Sequence, residues 1–126
     1  MQIIATLLVD DEPDIRMLMR LTLDTANDGL WVCGEASDGH EAVDLAADVT
    51  PDVVVVDQRM PGMSGIETAV ALRARSADQR IVLCSAFLDR ELREEGERVG
   101  IVGFVNKRDI AQLPDVIRAV ARHETT

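Results

Sequence analysis

Val53-Val54-Val55-Val56-Asp57-Gln58-Arg59-Met60-Pro61-Gly62-Met63-Ser64-Gly65 is the stretch on which the fold turns. Four consecutive valines show no polar alternation, so both faces of this strand must be covered, as in a parallel sheet with helices on each side. The run ends on Asp57 with no Gly or Ser spacer, which puts that carboxylate at the carboxyl edge of the sheet. Pro61-Gly62 and Ser64-Gly65 then form a loop. Ser64 is a candidate N-cap for a helix that turns Ile66, Ala69 and Val70 inward.

The same strand-turn-helix pattern repeats in both directions. Upstream, residues 3–9 form an apolar strand. A helix after Pro13 follows, with Ile15, Leu18, Met19, Thr22, Leu23 and Ala26 on one face. Residues 31–36 read as the next strand, and a helix from about Gly39 points Ala42, Val43 and Ala46 inward. Downstream, residues 81–84 and 102–106 are strands, and a last helix presents Leu113, Val116, Ile117 and Val120. Pro114 must sit in its first turn or before it. Between residues 88 and 99 the fourth helix has Leu92 as almost its only apolar anchor. Gly96 there costs about 1 kcal/mol relative to Ala. An ordinary solvated helix and a weakly held, shiftable one both fit that composition. Five alternations of strand and helix give an α/β, doubly wound, five-stranded parallel sheet with helices on both faces.

A chain of 126 residues is expected to form one domain over residues 1–126, large enough to bury a core without staples. No apolar run approaches the about 20 residues needed to span a bilayer. The N-terminal Met-Gln-Ile-Ile lacks a basic flank and reads as a strand, not a signal peptide, so a cytoplasmic location and no membrane contact are expected. Cys33 and Cys84 lie in apolar strands without CxxC spacing, as reduced, buried thiols would. A formal charge of −10 speaks against direct nucleic-acid binding and suits cations and basic protein surfaces. No second domain is expected in the sequence, so any partner domain would lie outside it.

Four of the five strands end on polar residues: Asp10-Asp11, Asp57, Ser85 and, after Asn106, Lys107. In open parallel sheets ligands bind outside the carboxyl ends of the strands. Two carboxylates about 4 Å apart repel by about 4 kcal/mol at an effective dielectric of about 20. Three together need protonation or a cation, and Mg²⁺, held by one or two carboxylates, waters and a phosphate oxygen, fits. Asp10-Asp11-Glu12-Pro13-Asp14 reads equally as a helix start, and the two roles are compatible. With its charge screened, the Asp57 carboxylate is a nucleophile able to attack phosphorus. Lys107 could pair with phosphoryl oxygens and the Ser85 hydroxyl could donate to one. Singly, these are a loop acid, a surface lysine and a strand-end cap; their conjunction is the signal.

With these motifs the whole chain resembles a receiver domain of the two-component response-regulator family. The matching segments are Val9-Asp10-Asp11-Glu12, Val56-Asp57, Met60-Pro61-Gly62-Met63-Ser64-Gly65, Ser85-Ala86 and Gly103-Phe104-Val105-Asn106-Lys107. The resemblance implies a flavodoxin-like strand order, 2-1-3-4-5. It implies that Asp57 accepts a phosphoryl group from the phosphohistidine of a sensor histidine kinase. It further implies that Asp10 or Asp11, Asp57 and the backbone carbonyl of Arg59 hold Mg²⁺, while Lys107 and Ser85 contact the phosphoryl group. Phe104 takes the place of the family's switch aromatic, which turns inward as Ser85 is drawn to the phosphate; plain core packing is the other reading of Phe104. The surface of the fourth helix, fifth strand and fifth helix would report the state to an output domain or partner, or form a homodimer.

Arg108 stands where many receivers have a proline, and Phe104 replaces a more frequent tyrosine, losing its hydroxyl. Lys107-Arg108 and the Asp57–Gly65 segment look most like receivers attached to helix-turn-helix transcription factors. Arg59, two residues past Asp57, is placed to lean over the phosphoryl group and tune its hydrolysis. Two other functions compete. A pseudo-receiver would use the fold only for interaction, but a scaffold has no need of Asp10, Asp11, Asp57, Ser85 and Lys107 together. An enzyme on an external substrate would need a phosphate-cradling loop where Asp10-Asp11-Glu12 stands, an acid where Arg59 stands, or a P-loop, which the chain lacks.

Overall fold

In the computed structural model, which describes residues 2–26 and 28–122, strands and helices alternate throughout. The elements are β1 (Ile4–Val9), α1 (Pro13–Ala26), β2 (Leu30–Ala36), α2 (Gly39–Val49) and β3 (Val53–Val56). They continue with α3 (Gly65–Arg75), β4 (Arg80–Ser85), α4 (Arg90–Arg98), β5 (Gly103–Asn106), a 3₁₀ turn (Lys107–Gln112) and α5 (Leu113–Arg122). The five strands pair in parallel in the order β2-β1-β3-β4-β5. The all-valine β3 is the central strand and is wholly buried.

Alternation along each strand divides the core in two. Leu8, Val53, Val55, Val82, Cys84 and Val105 pack with Met19 and Leu23 of α1 and Leu113, Ile117 and Val120 of α5. Leu7, Val9, Val54, Val56, Ile81 and Leu83 pack on the other side with Ala42 of α2 and Ile66, Ala69 and Leu72 of α3. Among the described residues no helix is long and apolar enough to cross a membrane.

Local chemistry fixes the helix starts. Ser64 caps α3 through a reciprocal capping box with Glu67, as the Ser64-Gly65 signal predicts. Asp38 caps α2 and Asp89 caps α4 through their side chains. Pro114 sits in the first turn of α5, where its missing N–H costs nothing.

Two inward assignments fail. Leu18 of α1 is 44% exposed and Val70 of α3 is 51% exposed. Each lies at the margin of an apolar stripe whose centre alone reaches the sheet, and periodicity reports a stripe's direction but not its width. The thin anchoring of α4 has a structural reason. Gly96 is buried, and a Cβ on it would lie 2.8 Å from Cε1 of Phe104, so the helix gives up a side chain to seat that ring.

Candidate functional site

The site grows from the pairing of β1 with β3. Val9 is in register with Val56, and the Asp57 N–H donates to the Val9 carbonyl at 3.0 Å. On the other side the Asp10 N–H donates to the Ala36 carbonyl at 3.1 Å. Asp10 and Asp57 are therefore held at the same edge by sheet hydrogen bonds, and both are buried. Asp10 Oδ1 accepts the Glu12 N–H at 2.9 Å, which starts the turn into α1.

Lys107 enters from the far side of the sheet, directly after β5. Asn106 Oδ1 accepts the Arg108 N–H at 3.0 Å and turns the chain there. A proline at position 108 could not make that bond, having no N–H. The Lys107 Nζ lies 2.8 Å from Asp10 Oδ2, 3.2 Å from Asp57 Oδ2 and 3.8 Å from Glu12 Oε1. A single ammonium thus bridges the two buried carboxylates.

This arrangement perturbs both charges. Burial, then the Asp10 charge, push the Asp57 carboxyl above its ordinary value against the opposing pull of Lys107. Burial works against the Lys107 ammonium, but its hydrogen bond to Asp10 and the charges of Asp57 and Asp10 outweigh that and raise its value. Just beneath, the thiol of Cys84 is pushed up to about 12, chiefly by burial.

The remaining expected residues divide. Ser85 ends β4 beside Asn106 and is buried at the same edge. Its Oγ accepts the Phe87 N–H at 3.3 Å, so its hydrogen bond is local. The Arg59 backbone N–H faces the Asp57 carboxyl and pulls its value down slightly, the weakest of the influences on it. The exposed Arg59 guanidinium instead stacks on the Phe87 ring, 4.9 Å from its centroid. A groove of about 610 Å³ runs beside that pair, lined by Met60, Ser85, Asp89 and Leu92 among others. Phe104 is on the α4 side of the sheet, against Gly96 and under the Arg93 guanidinium at 4.7 Å from the ring centroid.

Carboxylate oxygens of Asp10, Asp11 and Glu12 lie within 4.8 Å of one another. Glu12 does not figure among the ligands expected from sequence, although its place directly after Asp10-Asp11 was the available signal. Asp57 is not one of this trio, but it shares the Lys107 ammonium with Asp10. The group suits a hard divalent cation: the donors are all oxygens. The buried Asp10 Oδ2 has the Lys107 ammonium, at 2.8 Å, as its close partner.

Residues 6–118 match the family described as the response regulator receiver domain. The chain is similar to the uncharacterized transcriptional regulatory protein YxjL of Bacillus subtilis, 39% identical over 118 residues, covering 93% of this chain and 54% of that protein. It is 34% identical over 122 residues to the transcriptional regulatory protein LiaR of the same organism, covering 96% and 57%. The chain thus spans about half the length of these curated relatives. Among solved structures it resembles the response regulator domain of Thermotoga maritima CheB, with a TM-score of 0.88, 29% identity and coverage of 98% and 99%. It also resembles a LuxR-family two-component response regulator from Aurantimonas sp. SI85-9A1, with a TM-score of 0.88, 32% identity and coverage of 94% and 85%.

Proposed function

The chain belongs to the response regulator receiver domain family, and from that premise we propose that it is a phosphorylation-controlled switch with Asp57 as phosphoacceptor. The observation that carries this reading is the Lys107 ammonium between the buried carboxylates of Asp10 and Asp57. Receiver domains in general work with Mg²⁺. Here Asp10, Asp11, Asp57 and the Arg59 carbonyl would hold it, with Glu12 beside them, and bound there it would offset the charge of the acids and of the incoming phosphoryl group.

The chain's own residues supply the rest. An Asp57 carboxylate oxygen attacks the phosphorus of a histidine kinase phosphohistidine. The P–O bond forms as the P–N bond breaks, and the imidazole departs with the electron pair. Lys107 is within reach of Asp57 and follows the transferred charge as a mobile donor. The Ser85 hydroxyl exchanges its local partner for a phosphoryl oxygen. That movement frees room for Phe104 to turn inward, and the face of α4, β5 and α5 changes shape.

The rest of the reading follows. Residues 1–126 act as one receiver domain, cytoplasmic and away from membranes. The chain catalyses only its own phosphorylation and dephosphorylation. Its altered face controls an output domain or partner, transcriptional as in the named relatives, or forms a homodimer; the chain itself does not contact nucleic acid.

Intact mass after incubation with a small-molecule phosphodonor, with and without Mg²⁺, tests the core of this. The expected result is a Mg²⁺-dependent, alkali-labile phosphoryl adduct that Asp57→Asn lacks. No adduct from a histidine-kinase donor, with Mg²⁺ binding demonstrated, would make the chain a pseudo-receiver.

A further inference from the structure

Two arginines one helical turn apart on α1 grip a single carboxylate on β2. Arg16 Nε donates to Glu35 Oε1 at 3.2 Å, while Arg20 donates through Nε and Nη2 to Oε2 at 2.9 and 2.6 Å. The Arg20 hydrogen bond chiefly, against partial burial, holds the Glu35 carboxyl below its ordinary value. Glu35 stands opposite Leu8 in the β1–β2 register, on the α1 side of the sheet. The Arg16 side chain is only 18% exposed, and its Nη1 donates to the backbone carbonyl of Asp10 at 2.5 Å.

Asp10 is thereby fixed at three points: its N–H by Ala36, its Oδ1 by the Glu12 N–H and its carbonyl by Arg16. Oδ2 is the one oxygen left facing Lys107. We infer that Arg16, aligned by Glu35, is a positioning residue that holds the Asp10–Glu12 turn in the shape needed to take a divalent cation. This inference rests on the metal reading above. A guanidinium suits the task because its rigid fork serves a carboxylate and a carbonyl at once. Partners that orient metal ligands in this indirect way are typically worth about 10–100-fold in metal affinity.

The test is a Mg²⁺ titration of the full chain followed by amide chemical shifts of Asp11 and Glu12, with thermal unfolding measured in parallel. Arg16→Ala is expected to weaken Mg²⁺ binding about tenfold. Arg20→Ala leaves the bond from Arg16 to Asp10 standing, so it is expected to lower the unfolding temperature while changing Mg²⁺ affinity less than about twofold. If affinity simply follows unfolding temperature across both variants, or Arg16→Ala binds as the parent does, Arg16 is a structural brace and the inference is overturned. A parent protein whose amides ignore Mg²⁺ would overturn the metal reading itself, and this inference with it.

Discussion

Gly96 faces the Phe104 ring so closely that the smallest side chain would collide with it, at 2.8 Å from Cε1 and 3.0 Å from Cζ. Alanine outranks glycine in a helix interior by about 1 kcal/mol. Gly96→Ala is therefore expected to show little of that gain in urea unfolding, because the ring must move. In a Phe104→Ala background the same substitution should recover it, giving a coupling of about 1 kcal/mol in the double-mutant cycle. Additive effects would mean that the glycine is not there for the ring.

Lys107 bridges two acids that are almost wholly out of water, its own side chain being 14% exposed. Removing one partner of such a buried set leaves uncompensated charge and typically costs about 3–5 kcal/mol. Lys107→Met is expected to lose about 3 kcal/mol of stability in metal-free buffer, and added Mg²⁺ should restore part of it. A loss below about 1 kcal/mol would show that the acids are solvated well enough to manage alone.

The raised value of Asp57 has a definite sign in stability. A carboxyl whose folded value exceeds its unfolded one binds its proton more tightly when folded, so ionisation penalises the native state. The penalty is absent below the unfolded value and fully present above the folded one. In a chelator, Asp57→Asn should therefore stabilise the protein near pH 7, and the advantage should vanish as the pH falls below the ordinary aspartate range. An advantage independent of pH would assign the effect to packing.

Arg59 and Phe87 close one side of the site from two different loops. An exposed cation–π contact is worth about 0.5–1 kcal/mol, or roughly a two- to fivefold effect on a rate. Arg59→Ala is expected to shorten the phospho-Asp57 lifetime by about that factor by admitting water, and Phe87→Ala to do the same, with no further loss in the double variant. An unchanged lifetime in Arg59→Ala would leave the stacked pair without a part in hydrolysis.

Cys84 is wholly buried beneath the charged edge, with its thiol pushed up to about 12. The thiolate is the reactive form, so alkylation of Cys84 in the native protein should proceed no faster than unfolding exposes it. Partly exposed Cys33 should label faster than Cys84. Rapid native labelling at Cys84, read by peptide mass, would contradict the burial that places Ser85 at the rim.

What was legible beforehand depended on distance along the chain. Asp10, Asp57, Ser85 and Lys107 each directly abut or closely follow a strand, so apolar runs alone bring them to one edge. The strand limits moved by a residue or two: β4 gains Arg80 and Ser85, and β5 starts at Gly103. Contacts between elements left no such trace. Glycine at 96 reads as a weak point until Phe104 is seen against it. Arg16 and Glu35, nineteen positions apart, carry no local pattern that joins them. Arg59 was picked out by its spacing from Asp57, but its aromatic partner lies on another loop. Leu18 and Val70 were misplaced because the edge of a helical stripe depends on what packs beside it.

Lys107 also bears on how the molecule comes into being. An acid pair drawn together by sheet registry would ordinarily resist the closing of β1 on β3. The chain carries its own counter-ion at the end of its last strand, within reach of both acids. That internal counter-charge offsets part of the repulsion that pairing β1 with β3 would otherwise build between the two acids.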